Sequence, residues 1–410
     1  MPMNKKTLLL SLTILNILLF TSIFRSIKEE ERASLRDTAN FIEENNRGLQ
    51  LNYKQERPRD DYQDGVNKLD FDTKSTQHPN TDSPKVFQHS AGPTPIILHT
   101  YMRSGSSFVG DLLKAGTGTY YTFEPIHALQ FTIRHMVPIR YLNKPSKIFN
   151  NFLDVAVPTV RDMVTCQFSK LPVPYFEDGF FSYSTRASIF TQCNKGERMI
   201  TDTDRANTCA EELSKECSKS SSFVAKIIRL PLYSLEELME QIPNLKIIHL
   251  LRDPRPTMLS QMRAGNVKHK YLKTNVTSYC NRVYDDVVKA DDFNRKFPGR
   301  LLRVHYEDIV MKPFELTRKM YDFAGMPFTN RVSDTISRLT GHTEHHKSSN
   351  DKASAWRSSV DMDFIHTVDT ACNLLYAKVG FQAMATEADI RDTTKGLRGP
   401  PPPFDDFRLA

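Results

Sequence analysis

Hydrophobic positions fall into three regimes along this chain. Residues 7–24 form one uncharged apolar run, residues 25–92 are polar and charged, and from Pro93 onward short apolar runs alternate with helical periodicity. Four runs have the length and branched content of strands: Ile96-Ile-Leu-His-Thr-Tyr101, Phe223-Val-Ala-Lys-Ile-Ile228, Leu245-Lys-Ile-Ile-His-Leu-Leu251 and Leu301-Leu-Arg-Val-His305. They are apolar almost throughout rather than alternating, the pattern of a parallel sheet covered on both faces. Helical patterns open after Gly105, at Leu235, at Pro256, near Ser278, at Pro313 and near Phe364, two of them with proline in a first-turn position. The expected fold class is therefore α/β, a central parallel sheet flanked by helices. Residues 131–201, with scattered aromatics and prolines, read as a loop-rich insertion.

The run from Thr7 to Phe24 holds eighteen uncharged residues, which at a rise of about 1.5 Å each nearly span a hydrocarbon core of about 30 Å. A cleavable signal peptide is the rival reading, but no small-x-small site follows Phe24, where the chain continues Arg25-Ser-Ile-Lys28. Lys5 and Lys6 before the run favour a cytosolic N-terminus, with everything after it lumenal. The polar stretch 25–92 cannot bury enough surface to offset ordering and reads as a flexible stem. The expected organisation is a cytosolic tail 1–6, a transmembrane signal anchor 7–24, a disordered stem 25–92, a lumenal catalytic domain 93–385, and a polar, proline-rich tail 386–410 containing Gly399-Pro-Pro-Pro-Pro403.

Composition changes this picture little. The 410 residues are 39% hydrophobic and 25% charged, enough for a sizeable core. The formal charge of +7 suits an anionic ligand without the basic stripe of a nucleic-acid binder. Six cysteines, Cys166, Cys193, Cys209, Cys217, Cys280 and Cys372, all lie beyond the anchor and suit an oxidising lumen. Fifteen pairings are open to them. The sequon Asn275-Val-Thr277 is a candidate glycosylation site in the same compartment.

Candidate chemistry gathers where strands end. The first run leads through Tyr101-Met-Arg103-Ser104-Gly105-Ser106-Ser107-Phe108 straight into a helix. A strand, a tight Gly/Ser turn and a helix N-terminus converge free backbone N–H groups, hydroxyls and a guanidinium on one point, an anion cradle suited to phosphate. The Gly-x-x-x-x-Gly-Lys-Ser/Thr spacing of nucleoside triphosphatases is absent. The third run leads into Leu251-Arg252-Asp253-Pro254-Arg255 and on to Ser260. Ligands of open α/β sheets collect at that carboxyl edge, so Arg252 and Ser260 are placed to hold a second phosphate. A local Arg252–Asp253 ion pair is the structural alternative.

These residues, together with Tyr121-Thr-Phe-Glu124-Pro125, Lys226-Ile-Ile-Arg229, Arg303-Val-His-Tyr306-Glu307-Asp308, and Trp356-Arg357 followed by Cys372 and Val379-Gly380-Phe381, resemble the Golgi carbohydrate sulfotransferases. The resemblance is to their galactose, N-acetylglucosamine and N-acetylgalactosamine 6-O branch and runs in order from about Pro95 to Phe381. It implies the sulfotransferase fold with a P-loop-like phosphosulfate turn, the donor 3′-phosphoadenosine 5′-phosphosulfate (PAPS), and a glycan or proteoglycan acceptor. It also implies residence in the Golgi membrane with a lumenal catalytic domain; homo-oligomerisation is left open, and no nucleic acid is expected as a partner. By resemblance Arg103, Ser104, Gly105, Ser106, Ser107 and Phe108 hold the 5′-phosphosulfate, while Arg252 and Ser260 hold the 3′-phosphate.

Sulfuryl transfer needs positioning and charge stabilisation, and requires no metal. Arg103 cannot give up its proton, so it serves as an electrostatic clamp on the leaving phosphate. The acceptor hydroxyl needs a base, for which Glu124 is the first candidate and His127 the reserve. Lys226 and Arg229 are either contacts for sulfate or an acidic glycan, or surface charges beside a strand end. Trp356 and Arg357 read as a loop closing over the nucleotide, or Trp356 as a core anchor. Glu307 and Asp308 read as ordering the adjacent helix. His342, His345 and His346 match no common zinc spacing. The rival activity is a lumenal glycosyltransferase, for which Asp202-Thr-Asp204 and Asp361-Met-Asp363 would be metal-binding Asp-x-Asp triplets. A membrane-tethered lectin would need neither phosphate grip.

Overall fold

A computed structural model describes residues 92–342 and 353–399. The anchor run 7–24, nearly all of the stem, His345, His346 and the prolines from Pro400 lie outside the described residues. No described helix is long and apolar enough to cross a membrane. Residues 262–269 form a separate segment, within which the Gly265 N–H closes a turn on the Met262 carbonyl at 3.0 Å. The sheet and all the chemistry below belong to the unit formed by 79–261 and 270–410.

The chain runs β1 (Thr94–His99), α1 (Ser106–Lys114), β2 (Thr119–Phe123), α2 (His127–Arg134), α3 (Leu153–Val164), α4 (Thr203–Ser218), β3 (Ser222–Ile227), β4 (Lys246–Leu251), α5 (Pro254–Arg263), α6 (Leu272–Lys296), β5 (Leu301–His305), α7 (Tyr306–Met311), α8 (Pro313–Ala324), α9 (Asn330–Thr340), α10 (Met362–Ala371) and α11 (Asn373–Val379), with shorter helices between. All strand pairs are parallel, in the order β2-β3-β1-β4-β5. Every position from Pro95 to His99 and throughout β3 is buried, the reason these strands read as unbroken apolar runs.

Alternate side chains serve opposite faces. Ile97, Phe223, Ile247 and Leu301 join the core formed with α3, α4 and the segment between them, whereas Ile96, Val224, Ile248 and Leu302 pack with Val109, Leu112, Leu316, Met320, Val332 and Ile336 of α1, α8 and α9. From β1 the chain leaves toward β2, and from β4 it leaves toward β5. The carboxyl ends of β1 and β4, adjacent in the sheet, therefore flank the switch point at which open α/β sheets bind ligands.

Three expectations change. Residues 131–201 are loop-rich over 135–152 as expected, but from Leu153 on carry α3, Val173–Glu177, Ala187–Cys193 and two 3-10 turns. Pro158 inside α3 and the density of aromatics hide the helical period. The folded region also extends past residue 385: Glu387–Arg391 is a helix opened by a Thr386/Asp389 capping box, Phe381 bridges Arg398, and Arg398 pairs with Asp308 at 3.0 Å. Arg357 is buried, and its guanidinium donates to the carbonyls of Asp389, Ile390 and Lys395. It fastens this C-terminal strap, and its guanidinium is spent there rather than on a ligand. Trp356 is buried beside Arg255, its ring centre 5.7 Å from the guanidinium carbon.

All six cysteines pair: Cys166 with Cys217, Cys193 with Cys209, and Cys280 with Cys372. The first two clamp the helical insertion, and the third ties α6 to the α10/α11 junction across 92 residues. Replacing Cys280 and Cys372 by serine is expected to cost about 2–5 kcal/mol. Urea unfolding of the double variant against the wild type measures this; an unchanged midpoint would contradict it.

Candidate active site

The turn after β1 is built around one glycine. Gly105 has φ +83° at the N-cap of α1, and a Cβ there would lie 2.2 Å from Tyr306 Cδ2. Only glycine tolerates both the dihedral and the close approach of the Tyr306 ring. Arg103, also at positive φ (63°), holds its exposed side chain over the turn. Ser104 is buried, its hydroxyl donating to the Tyr101 carbonyl at 2.7 Å and meeting Thr100 Oγ1 at 2.6 Å. It shapes the turn from within. Phe108 packs edge-on against Tyr306, so of this residue only the backbone is free to face an anion.

The second grip is joined to the first. Arg103 Nε donates to Ser260 Oγ on α5 at 2.9 Å, and Arg252 Nη1, after β4, donates to the Arg103 carbonyl at 2.9 Å. Gln261 Nε2 reaches the Met102 carbonyl at 3.1 Å. The Arg252 guanidinium lies 4.3 Å from the centre of the Tyr306 ring, and its Nε is buried without a hydrogen-bond partner among the described residues. Asp253 does not pair with Arg252, as the structural alternative required. Its carboxylate takes Arg255 in a buried fork of 2.8–3.2 Å, which leaves Arg252 for another anion.

Beneath the turn sits a buried polar network that the sequence reading passed over. Tyr101 donates to Asp286 Oδ2 at 3.0 Å and meets His249 Nε2 at 2.9 Å, while Asp286 Oδ1 accepts the Leu232 N–H at 2.7 Å. Burial, then the neighbouring His99, hold His249 well below the ordinary histidine range, so the ring is neutral and its Nε2–H donates to the tyrosine oxygen. His99 and His249 face each other in register on β1 and β4. The signal was present in the sequence as two histidines interrupting apolar strands.

On the other side of β1, Glu124 follows β2 at φ 43° and is buried. Lys226 Nζ donates to its Oε1 at 2.9 Å, and Arg229 Nη1 donates to its Oε2 at 2.5 Å. Burial pushes the Glu124 carboxyl up, but the Arg229 and Lys226 charges outweigh it and hold the group below the usual carboxylate range. Lys226, 2% exposed, is no surface charge; its ammonium also reaches Ser107 Oγ at 3.3 Å, and so links Glu124 to the phosphate turn. Arg229 Nε donates to Gln130 Oε1 at 3.1 Å. His127, one turn on from Glu124, meets Asp178 Oδ2 through Nδ1 at 2.9 Å.

The remaining candidates lie elsewhere. Asp202 and Asp361 cap helices by accepting the N–H of Arg205 and Phe364, so both Asp-x-Asp triplets are helix starts. Asn275 sits in the first turns of α6, its amide donating to the Tyr271 carbonyl at 2.8 Å. Glu307 does order its surroundings: Oε1 accepts the Asp253 N–H at 3.0 Å and ties the start of α7 to the end of β4.

A sequence profile described as the sulfotransferase family matches residues 95–330. The chain is 25% identical over 371 residues to carbohydrate sulfotransferase 1 of Danio rerio, a match covering 80% of this chain and 87% of that protein. It is 23% identical over 349 residues to carbohydrate sulfotransferase 3 of Homo sapiens, covering 75% and 71%. Among solved structures, the sulfotransferase domain of the Synechococcus PCC 7002 olefin synthase aligns over 70% of this chain and 98% of its own at 18% identity, TM-score 0.39. Mouse sulfotransferase SULT7A1 complexed with PAP aligns over 73% and 88% at 12% identity, TM-score 0.37.

Two predictions follow from this geometry. Gly105→Ala combines a strained φ with a clash against Tyr306 and is expected to destabilise the protein by about 1–3 kcal/mol or more; an unchanged urea midpoint would refute the close approach. Glu307 is pushed up to about 7, by burial first and then by the Asp253 charge. Its folded value lies above its unfolded one, so its stabilising effect is complete below the ordinary carboxylate range and is lost as pH rises through 7. Glu307→Gln should therefore gain thermal stability relative to the wild type between about pH 5.5 and about pH 8. Melting temperatures of both proteins at the two pH values decide it, and a constant difference would contradict the assignment.

Proposed function

We proceed from the fact that this chain belongs to the sulfotransferase family, and we propose that it moves a sulfuryl group from PAPS to a carbohydrate hydroxyl, the 6-hydroxyl of galactose, N-acetylglucosamine or N-acetylgalactosamine in a glycan or proteoglycan. The observation that carries this reading is the pair of coupled anion grips at the switch point. Arg103 with the 104–108 turn suits a 5′-phosphosulfate, and Arg252 with Ser260 suits a 3′-phosphate. The relatives named as carbohydrate sulfotransferases supply the acceptor class. The run 7–24 supports a single-pass anchor in the Golgi membrane with residues 93 onward in the lumen, and three disulfides suit that compartment.

The donor fits these residues: Gly105 gives the turn its left-handed φ of +83° at the N-cap of α1, where backbone N–H groups are free for an anion, and among the described residues the buried Arg252 Nε lacks a hydrogen-bond partner. In the reaction the sulfur forms a bond to the sugar oxygen and loses its bond to the phosphate oxygen, while the hydroxyl proton passes to a base. Glu124 is that base. It is ionised at neutral pH, and its basicity is set by how tightly Lys226 and Arg229 hold it. Lys226 also reaches Ser107 Oγ, so a sulfate held there would draw on the same ammonium and leave the Glu124 carboxylate a better proton acceptor. Arg103 and the turn amides steady the charge gathering on the departing phosphate. His127 is the reserve base.

The test is transfer of labelled sulfate from PAPS to desulfated keratan, chondroitin and N-acetylglucosamine-terminated acceptors with EDTA present. Arg103→Ala should abolish donor binding, and Arg252→Ala should weaken it about 100-fold. Glu124→Gln should retain donor binding and lose about 10²- to 10⁴-fold in turnover, with its melting temperature measured first, because the substitution leaves two cations less compensated. Full turnover in Glu124→Gln would remove it from the role of base. Manganese-dependent use of a sugar nucleotide in place of PAPS would instead establish the glycosyltransferase.

A further inference from the structure

Beside the Glu124 carboxylate stands a group of aromatic side chains that the donor grips do not use. Phe123, the chain neighbour of Glu124, is met edge-on by Phe180 at 5.3 Å between ring centroids and at a tilt by Tyr183 at 5.4 Å. The Lys226 ammonium, bonded to Glu124 and Ser107, lies 3.9 Å from the centre of the same Phe123 ring. Phe180 in turn stacks on the His127 imidazole at 4.2 Å. Aromatic wall, base and phosphosulfate turn are thus one continuous set of contacts.

Asp178 fixes the wall in place. Phe180 and Tyr183 belong to the 3-10 turn Gly179–Tyr183, and one Asp178 oxygen accepts the Phe180 N–H at 3.0 Å while the other takes His127 Nδ1 at 2.9 Å. Burial raises the Asp178 carboxyl, but the hydrogen bond from His127 holds it below its ordinary value, so it stays ionised. With Nδ1 engaged by Asp178, the His127 side chain is still 39% exposed. Tyr183 is 59% exposed, a large ring that folding has left in water.

A flat aromatic face next to a fixed polar edge matches a pyranose, which has an apolar C–H face and a rim of hydroxyls. The donor cannot claim this wall. Its grips run from the end of β1 toward β4, whereas the wall extends from the end of β2, at the opposite edge of the sheet. We infer that His127, Phe180 and Tyr183 form the subsite that binds the pyranose ring of the acceptor, with Asp178 as the residue that positions them. This rests on the carbohydrate acceptor proposed above.

Steady-state kinetics of the full chain with PAPS and the acceptor it sulfates test the subsite. Tyr183→Ala should raise the acceptor KM about tenfold, in keeping with loss of one aromatic contact, while the KM for PAPS and the Kd for 3′-phosphoadenosine 5′-phosphate stay as in the wild type. Tyr183→Phe should restore the acceptor KM. An acceptor KM unchanged in Tyr183→Ala and also in Phe180→Ala would overturn the subsite alone. A wild-type enzyme that binds the donor yet sulfates no carbohydrate would overturn the acceptor class, and the subsite with it.

Discussion

The hydrogen bond from Arg103 to Ser260, with Arg252 returning to the Arg103 carbonyl, makes one site out of two loops that lie about 150 residues apart in the chain. Among the described residues, neither guanidinium is held by a carboxylate. Asp253, the obvious candidate, is taken by Arg255, and Glu307 spends one oxygen on the Asp253 N–H. The two cations are therefore held by hydroxyl, carbonyl and ring, groups that orient a positive charge without neutralising it. The parallel order of β1 and β4 is what brings the two loops side by side, and the Tyr306 ring, closing over both Gly105 and Arg252, extends the same site to the end of β5.

The opposite arrangement holds at Glu124. One carboxylate there serves two cations inside the protein, where breaking such a set by removing a single partner costs about 3–5 kcal/mol. Burial holds Lys226 below the usual ammonium range despite the opposing Glu124 charge, and the carboxyl itself is held ionised. The contrast with Arg103 and Arg252 is functional in kind. Among the described residues Arg103 and Arg252 have no carboxylate partner, which suits them to an anionic ligand, whereas the Glu124 carboxylate is shared by two cations.

Much of this was legible in the residues. The apolar runs gave β1, β3, β4 and β5 to within two residues, because strands buried on both faces cannot conceal themselves. β2, Thr119-Tyr-Tyr-Thr-Phe, is short and mixes hydroxyls with rings, so only its position between α1 and Glu124 pointed to it. α6 begins at Leu272 rather than near Ser278 because its first turns are polar and no side chain caps it. At the site, strand-end position pointed to Arg103, Gly105 and Arg252, the helix after β4 to Ser260, and the end of β2 together with the family resemblance to Glu124. The partner of Glu124 could not: Lys226 looks like a charge at a strand end until the register pairs it with Phe123 across β2 and β3. The Asp178–His127 bond, joining residues 51 apart through an insertion whose helices were hidden, had no sequence signal of any kind.

Two coupled anion grips suit a single nucleotide phosphorylated at both its 3′ and 5′ positions. The direct measurement is calorimetric titration of the protein with 3′-phosphoadenosine 5′-phosphate and, in parallel, with adenosine 5′-phosphate. The coupled grips predict that the first binds at least about 100-fold more tightly, corresponding to about 2.7 kcal/mol for a charge-assisted contact, and that Arg252→Ala erases the difference. Equal affinity for the two nucleotides in the wild type would contradict the account, because the Arg252 and Ser260 grip would then have no phosphate to hold.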